Sequence, residues 1–270
     1  GLATPMSIMV GVGRGAKEGI LIKNAEVLEN MKKVDTLIVD KTGTLTEGKP
    51  KLTKAAPTDS FTETELLGMA ASVEQNSEHP LAVSIVAAVK ERELDVPTVE
   101  DFQSVTANGV YGNVDGRRVI IGKPSFLTES GIQNVERLLP PAGELQSQGN
   151  TVMFVGIDDE AAGILAVSDP IKESTPEAIR QLHQLGLKVI MLTGDNEKTA
   201  QAVASKQNID EVEAGVKPED KQDLVRQLSE QAHVVAMAGD GINDAPALSA
   251  ANFGVSIGPG PNVAIESSDV

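Results

Sequence analysis

The stretch VDTLIVDKTGTLT, residues 34–46, decides the fold class of this chain. Its first six residues form a short run rich in β-branched side chains, which predicts a buried strand. The run ends at Asp40, and Lys-Thr-Gly-Thr follows at once, which predicts a loop. The stretch therefore predicts a strand that carries an acidic side chain to its carboxyl end.

Two later segments repeat this arrangement. LKVIML at 187–192 runs into TGD, and HVVAMA at 233–238 runs into GDG, so Asp195 and Asp240 also follow predicted strands. Strands that alternate with helices form βαβ units and a parallel sheet, and such a sheet binds ligands beyond the carboxyl ends of its strands. We expect the three acidic loops to meet at one edge of the sheet.

Helical patterns lie between these strands. Thr175-Pro176 predicts the start of one helix and Gly186 its end, with Leu185 on the apolar face. Two further helices are predicted at 218–228 and 245–250. These helices supply the crossover connections that a parallel sheet needs.

The middle of the chain has a different pattern. Helices are predicted at 62–74 and 80–93, followed by antiparallel strands with a tight turn at Asp115-Gly116. A second hairpin is predicted around Asp158-Asp159-Glu160. Helices followed by antiparallel strands indicate an α+β domain inserted into the parallel-sheet domain.

The predicted fold class is therefore α/β, with two domains. A Rossmann-like parallel-sheet domain is expected from residues 1–47 and 166–270, and an inserted α+β domain on an antiparallel sheet from residues 48–165. A chain of 270 residues is long enough for two such cores.

Composition excludes several classes of function. The formal net charge of −16 opposes nucleic acid and anionic membrane surfaces, because both attract clustered Lys and Arg. A compact anion such as ATP stays possible if Mg²⁺ neutralises it. The chain has no cysteine, so it can form neither a disulfide nor a thiolate metal site.

The first residues, GLATPMSIMVGVGRG, lack a charge until Arg14. They are too short for a full membrane span, which needs roughly 20 apolar residues. We expect residues 1–12 to be the end of a truncated membrane helix, and the chain to be part of a longer protein.

The three strand-end acids suggest phosphoryl chemistry. An Asp carboxylate can attack phosphorus when a cation cancels its repulsion from the phosphate oxygens. Mg²⁺ suits this task because it prefers hard oxygen ligands. Any one of these Asp residues could instead cap a helix or form a turn.

Six motifs resemble those of the P-type ATPases, within the haloacid dehalogenase superfamily, in order and spacing. They are DKTGTLT at 40–46, SEHP at 77–80, DPIK at 169–172, TGDN at 193–196, KPEDK at 217–221 and GDGINDAPAL at 239–248. The resemblance implies a haloacid dehalogenase-like phosphorylation domain with an inserted nucleotide-binding domain.

The resemblance also implies a role for each matching residue. Asp40 would accept the γ-phosphate of ATP, and Mg²⁺ would be held by Asp40, the Thr42 carbonyl and Asp240. The other matching residues, which would bind the phosphoryl oxygens or support the site, are Lys221, Thr193, Gly194, Asp195, Asp244, Asn243 and Asp169. Without the resemblance, Lys221 could be a surface ion-pair partner of a nearby acid.

Position 42 separates pumps from phosphatases. Phosphatases of the superfamily typically carry a second Asp there, which protonates the leaving group and then activates water. Thr42 can do neither well, so we expect a persistent aspartyl phosphate. In the family an actuator domain with a TGE motif hydrolyses it, and this chain has no such motif.

SEHP resembles the signature of the heavy-metal-transporting branch. By that resemblance Glu74, His79, Gly109 and Gly122 would line the adenosine pocket, although Ala107 replaces the first Gly of a Gly-x-Gly motif. Apart from the resemblance, His79 could simply start a helix beside a proline.

The N-terminal segment resembles the one that follows the membrane Cys-Pro-Cys motif in copper(I) and silver(I) pumps, so copper(I) is the expected cargo. The expected partners are ATP or ADP and the actuator and transmembrane domains of the same pump, at the cytoplasmic face of a membrane. The chain itself is expected to be soluble and monomeric.

Three rival readings stay open. Gly11 to Ala16, with Asp35 further on, fits a dinucleotide fingerprint that would indicate an oxidoreductase. A phosphatase of the same superfamily would hydrolyse small phosphate esters rapidly. A nucleotide-binding module would bind ATP without activity of its own.

Overall fold

The chain divides into two compact units in a computed structural model that describes residues 3–77, 79–230, 234–240, 244–258 and 266–270. The first unit comprises Gly1–Gly48 and Ile171–Val270, and the second comprises Lys49–Pro170. The boundary expected after residue 165 would cut the strand Glu160–Ser168, which the structure keeps whole in the second unit.

The elements within the described residues follow the chain in this order: α1 (Ala3–Lys17), α2 (Ala25–Met31), β1 (Thr36–Asp40), a π-type turn (Lys41–Leu45), β2 (Lys51–Pro57), α3 (Glu63–Glu74), α4 (Pro80–Glu91), β3 (Val99–Val105), β4 (Gly109–Val114), β5 (Arg117–Gly122), α5 (Pro124–Glu129), a 3₁₀ turn (Val135–Leu138), α6 (Leu139–Ser147), β6 (Thr151–Ile157), β7 (Glu160–Ser168), α7 (Thr175–Gln184), β8 (Lys188–Leu192), α8 (Glu197–Gln207), β9 (Glu211–Glu213), α9 (Lys221–Glu230), β10 (Val235–Gly239), α10 (Ala245–Ala250) and β11 (Phe253–Ser256).

The first unit is built on a parallel sheet in the order β11-β10-β1-β8-β9. Helices cover both faces: Val225 of α9 and Leu248 of α10 are buried on one side, and Ile179 of α7 and Ala200 of α8 on the other. Because both faces are covered, the central strands read as nearly continuous apolar runs. The strand β1 lies between β10 and β8, so its carboxyl end opens at the centre of the sheet.

The second unit is built on an antiparallel sheet in the order β2-β7-β6-β5-β4-β3. Leu66 of α3 and Ile85 of α4 belong to the core on one face, and Leu127 of α5 and Leu145 of α6 to the core on the other. The turn at Asp115-Gly116 has positive φ at both residues, as a two-residue hairpin requires.

Three sequence expectations are corrected. Leu185, expected on the apolar face of α7, is 77% exposed, because the helix ends at Gln184 and Leu185 is already its C-cap. The helix α9 begins at Lys221 rather than at residue 218, since a turn precedes it. The residues Gly11–Ala16 lie inside α1, whereas a dinucleotide fingerprint needs a strand-to-helix turn.

The helix α1 contains the residues expected to end a membrane helix. Within the described parts of the chain, none of the helices combines the length and apolar character that crossing a bilayer requires.

Gly109 and Gly122 face each other at the start of the β4–β5 pair. A Cβ added at Gly109 would lie 2.1 Å from the Ile121 carbonyl oxygen, and one at Gly122 would lie 2.3 Å from the Asn108 carbonyl oxygen. Both glycines are therefore required by the close approach of two backbones, independently of any ligand.

We predict that Gly109→Ala destabilises the second unit by about 2–3 kcal/mol, because the new methyl group must displace a partner backbone. The chain has one tyrosine, Tyr111 on β4, and no tryptophan, so tyrosine fluorescence during urea denaturation reports on this unit alone. Gly68→Ala is the control: its methyl would meet the Asp95 carbonyl oxygen at 3.3 Å, and alanine favours the helix. Equal stability of Gly109→Ala and the wild type would contradict this prediction.

Candidate active site

Three carboxylates meet beyond the carboxyl end of the central strand of the first unit. Asp40 ends β1, Asp240 follows β10, and Asp244 precedes α10. One oxygen atom from each lies within 4.8 Å of the other two. From β1 the chain proceeds to β8 and β9 on one side of the sheet and then crosses back to β10 and β11 on the other, and such a switch point opens a crevice for ligands.

Lys221, the first residue of α9, holds two of these carboxylates together. Its Nζ donates to Asp40 Oδ1 at 2.6 Å and to Asp244 Oδ1 at 2.8 Å. The second oxygen of Asp40 accepts the Thr42 backbone N–H at 3.0 Å. Asp40 is 5% exposed and Asp244 2%, so the ammonium group stabilises charges that water reaches poorly.

The carboxylates carry more negative charge than Lys221 cancels. Burial raises the pKa of Asp40 to about 6, against the attraction of Lys221 and with the repulsion of Asp244. Burial and Asp244 also raise the pKa of Asp240. Burial would lower the pKa of Lys221, but Asp40 and Asp244 outweigh it and raise it. The site therefore favours a further cation.

The donor set fits Mg²⁺. Carboxylate oxygens that converge within 4.8 Å match the hard ligands of this ion. Gly43 lets Asp240 approach: its φ is +76°, and a Cβ there would lie 1.6 Å from Asp240 Oδ2. Any side chain at position 43 would push Asp240 out of the group.

Asp195 lies at the same edge of the sheet as Asp40, as the sequence predicts, because β8 runs parallel to β1, but it does not belong to the group of three carboxylates. Its Oδ2 accepts Lys41 Nζ at 2.5 Å, and both side chains are about one-tenth exposed, 11% for Lys41 and 10% for Asp195. The Thr193 hydroxyl also contacts Asp195 Oδ2, at 3.3 Å. The pair ties the loop after β1 to the loop after β8.

Lys172 is a second basic residue that sequence reasoning missed. Its Nζ donates to the carbonyl oxygen of Gly43, and its positive charge lowers the pKa of Asp240 against the larger effect of burial. The Lys172 backbone N–H and the Thr175 hydroxyl both bond the Leu45 carbonyl. The segment that re-enters the first unit therefore fixes the loop after Asp40. Lys172 is the last residue of the DPIK motif, and this motif could have identified it as a site residue.

The remaining expected site residues lie in several places. Thr193 is 3% exposed at the end of β8, and Gly194 follows it. Asp169 lies in the second unit, where its Oδ1 accepts the Lys49 backbone N–H at 2.9 Å. Asn243 lies outside the described residues.

A second cluster lies between α3 and α4. Glu74, the last residue of α3, is 5% exposed and bonds the Ser77 side chain. The Ser77 hydroxyl accepts the His79 backbone N–H at 3.3 Å. His79 caps α4, and its imidazole is exposed. The helix α3 packs on β4 and β5, the strands that carry the paired glycines Gly109 and Gly122.

Comparison with known proteins decides the family. The model of the haloacid dehalogenase-like hydrolases matches residues 34–252. The chain belongs to this family. The α/β fold expected from the sequence, a haloacid dehalogenase-like domain with a parallel sheet and a further domain on an antiparallel sheet, is confirmed.

The relatives of this haloacid dehalogenase-like chain include heavy-metal pumps. It is 53% identical over 270 residues to the copper-exporting P-type ATPase of Legionella pneumophila, covering 100% of this chain and 36% of the relative. It is 50% identical over 270 residues to the silver exporting P-type ATPase of Salmonella typhimurium, covering 100% of this chain and 33% of that relative. The chain spans about a third of the length of these proteins.

Solved structures of heavy-metal ATPases are also similar to this chain. A zinc-transporting PIB-type ATPase in the E2.Pi state matches with a TM-score of 0.76 and 40% identity, over 99% of this chain and 43% of that one. The catalytic CPx-ATPase domain CopB-B matches with a TM-score of 0.70 and 31% identity, over 96% of this chain and 91% of that one. The chain is homologous to the catalytic domain of heavy-metal P-type ATPases, which confirms the resemblance seen in the sequence.

We predict that the stability of the second unit depends on pH through Glu74. Burial raises the pKa of Glu74 from 4.5 to about 7, against the bond from Ser77. The folded state therefore binds a proton that the unfolded chain releases, and stability falls as pH rises toward 7. Glu74→Gln should be more stable than the wild type at pH 8, by on the order of 2–3 kcal/mol, with a smaller difference near pH 5.

Urea denaturation followed by Tyr111 fluorescence measures this difference. Glu100→Gln, at an exposed carboxylate of β3, controls for the loss of one negative charge. A stability gain for Glu74→Gln that is the same at both pH values would contradict the prediction.

Proposed function

We propose that this chain is the ATP-binding, autophosphorylating catalytic region of a heavy-metal-transporting P-type ATPase, in which Asp40 accepts the γ-phosphate of ATP. The observation that carries the proposal is the single ammonium group of Lys221 shared between Asp40 and Asp244, with Asp240 beside them. That arrangement keeps a buried carboxylate available as a nucleophile and provides positive charge where an anion must approach.

The transfer step forms a bond between a carboxylate oxygen of Asp40 and the γ-phosphorus, and it breaks the bond from that phosphorus to the bridging oxygen of ADP. Lys221 neutralises charge on the transferring group, and Thr193 and Gly194 donate hydrogen bonds to its oxygens. Asp195, held by Lys41, fixes the neighbouring loop. Asp244 orients Lys221 through the hydrogen bond that it accepts from Lys221 Nζ.

Asp40, the Thr42 carbonyl and Asp240 would hold Mg²⁺. When bound, this ion supplies charge neutralisation to both the carboxylate and the phosphate oxygens. Lys172 positions the loop through the Gly43 carbonyl, so that Asp240 keeps its place beside Asp40. Asp169 supports the connecting segment through its bond to the Lys49 backbone.

The adenosine group of ATP or ADP binds the second unit. Glu74 and His79 contact it, and Gly109 and Gly122 let the base approach a flat stretch of backbone. The buried carboxyl group of Glu74 and the exposed imidazole of His79 lie on one short connection between α3 and α4, which supports a shared ligand.

Thr42 sets the fate of the phosphorylated chain. Its side chain is exposed and supplies no acid or base, so the aspartyl phosphate persists until an actuator domain of the full pump hydrolyses it. Membrane segments of the same pump carry the cargo, and this catalytic region works at the cytoplasmic face. Nucleic acid has no role, and the catalytic region is monomeric.

Copper(I) is the proposed cargo. The copper and silver pumps are 53% and 50% identical to this chain, and the zinc-transporting structure is 40% identical. The resemblance of the segment at 1–24 to copper(I) and silver(I) pumps supports the same choice.

Labelling with γ-labelled ATP tests the phosphorylation. We expect acid-stable label on the wild type, none on Asp40→Asn, and about a 10²-fold slower reaction for Lys221→Met, because that cation acts on the transferring group. Lys217→Met is the matched control, since the Lys217 side chain is 65% exposed and its Nζ lies 3.8 Å from Glu219. Equal labelling of Asp40→Asn would refute the assignment, and rapid hydrolysis of small phosphate esters would favour a phosphatase.

A second experiment tests the role of position 42. Thr42→Asp should speed the decay of the labelled protein about tenfold or more, because a carboxylate there can activate water. Thr42→Asn introduces a side chain of nearly the same shape as Asp but without an acid or base. It should leave the decay as slow as in the wild type. Identical decay of both variants, followed in a chase with unlabelled ATP, would count against this role.

A further inference from the structure

The start of α4 depends on one imidazole nitrogen. His79 is the N-cap, with φ −67° and ψ 136°, and its Nδ1 accepts the Leu81 backbone N–H at 3.2 Å. Pro80 occupies the first turn and has no N–H to satisfy. The His79 carbonyl then accepts the Val83 N–H at 3.1 Å. Nδ1 therefore fills the position that a Ser, Asn or Asp oxygen usually takes.

This bond fixes the chemistry of the ring. A neutral imidazole has one donor nitrogen and one acceptor nitrogen, and an imidazolium has two donors. Because Nδ1 accepts, the ring is neutral and its proton is on Nε2. Part of the residue is exposed, yet protein atoms surround enough of the ring to desolvate it, which lowers the pKa of His79 and agrees with a ring that stays neutral at physiological pH.

Ser77 links the backbone of His79 to the side chain of Glu74. Its hydroxyl accepts the His79 backbone N–H at 3.3 Å and bonds the Glu74 carboxyl group. The Ser77 backbone N–H donates to the Glu74 carbonyl at 2.9 Å. The hydroxyl can do both because it is a donor and an acceptor. Glu74 and His79 are thus linked through one residue, on a connection that starts and ends in a helix.

We infer that the first turn of α4 fixes His79 as the neutral tautomer with its proton on Nε2, so that His79 meets the nucleotide as a hydrogen-bond donor. This inference rests on the proposed function and adds the direction of the hydrogen bond. His79 donates from Nε2, so the nucleotide must offer an acceptor, such as a ring nitrogen of the base. Nδ1 accepts the hydrogen bond that caps α4, and Nε2 donates to the ligand. One side chain thereby stabilises α4 and selects the ligand atom.

Nitrogen-15 NMR of the free chain tests the tautomer directly. The sequence has three histidines, so comparison with His79→Asn assigns the signal of His79. We expect a protonated Nε2 and an unprotonated Nδ1. A proton on Nδ1 would overturn the inference, whether or not the chain binds ATP.

Two variants separate the two roles. His79→Asn places an oxygen where Nδ1 lies and removes the donor, so α4 should keep its stability while ATP binds about three- to tenfold more weakly, the loss of one hydrogen bond. His79→Gln keeps a donor at the distance of Nε2 and removes the cap. It should speed hydrogen exchange at the Leu81 amide and lower the urea midpoint of the Tyr111 signal.

Isothermal titration with ATP and ADP measures the affinities. Wild-type affinity for His79→Asn would overturn the donor role, and unchanged exchange at Leu81 in His79→Gln would overturn the cap. Absence of ATP binding by the wild type would instead refute the proposed function, while the NMR measurement would still decide the tautomer.

Discussion

The site depends on one ammonium group shared by two buried carboxylates. Lys221 donates to Asp40 and Asp244 at once, and without it three acidic side chains would repel one another in a crevice that water reaches poorly. Removing one partner of a buried ion pair is far more costly than the pair is worth. The start of α9 is therefore fixed relative to β1 by charge as well as by packing.

The sequence predicted the features that local chemistry determines. The strands around Asp40 and Asp240, the hairpin at Asp115-Gly116 and the helices α3 and α4 follow from side-chain period and turn residues. The parallel sheet follows from the alternation of strands and helices. Because Asp40 and Asp240 follow parallel strands, the sequence predicted that they lie at one edge of the sheet. The structure brings their carboxylates together there.

Side-chain partners between distant loops could not be predicted in this way. Asp195 forms an ion pair with Lys41 and does not belong to the group of three carboxylates. The partner of a carboxylate depends on loop geometry, which the positions of the strands do not determine. Lys172 reaches the Gly43 carbonyl across 129 positions of sequence. The sequence offered a helix start and a nucleotide contact as alternatives for His79, but it could not show which ring nitrogen accepts the Leu81 amide.

We propose that separate loops of the first unit converge to hold one cation beside Asp40. Diffraction at the manganese absorption edge, from crystals grown with Mn²⁺ as a probe for Mg²⁺ and with a phosphate mimic, tests it most directly. We expect an anomalous peak about 2.0–2.2 Å from carboxylate oxygens of Asp40 and Asp240. A site left empty at saturating Mn²⁺, or a peak bound only by other residues, would contradict it.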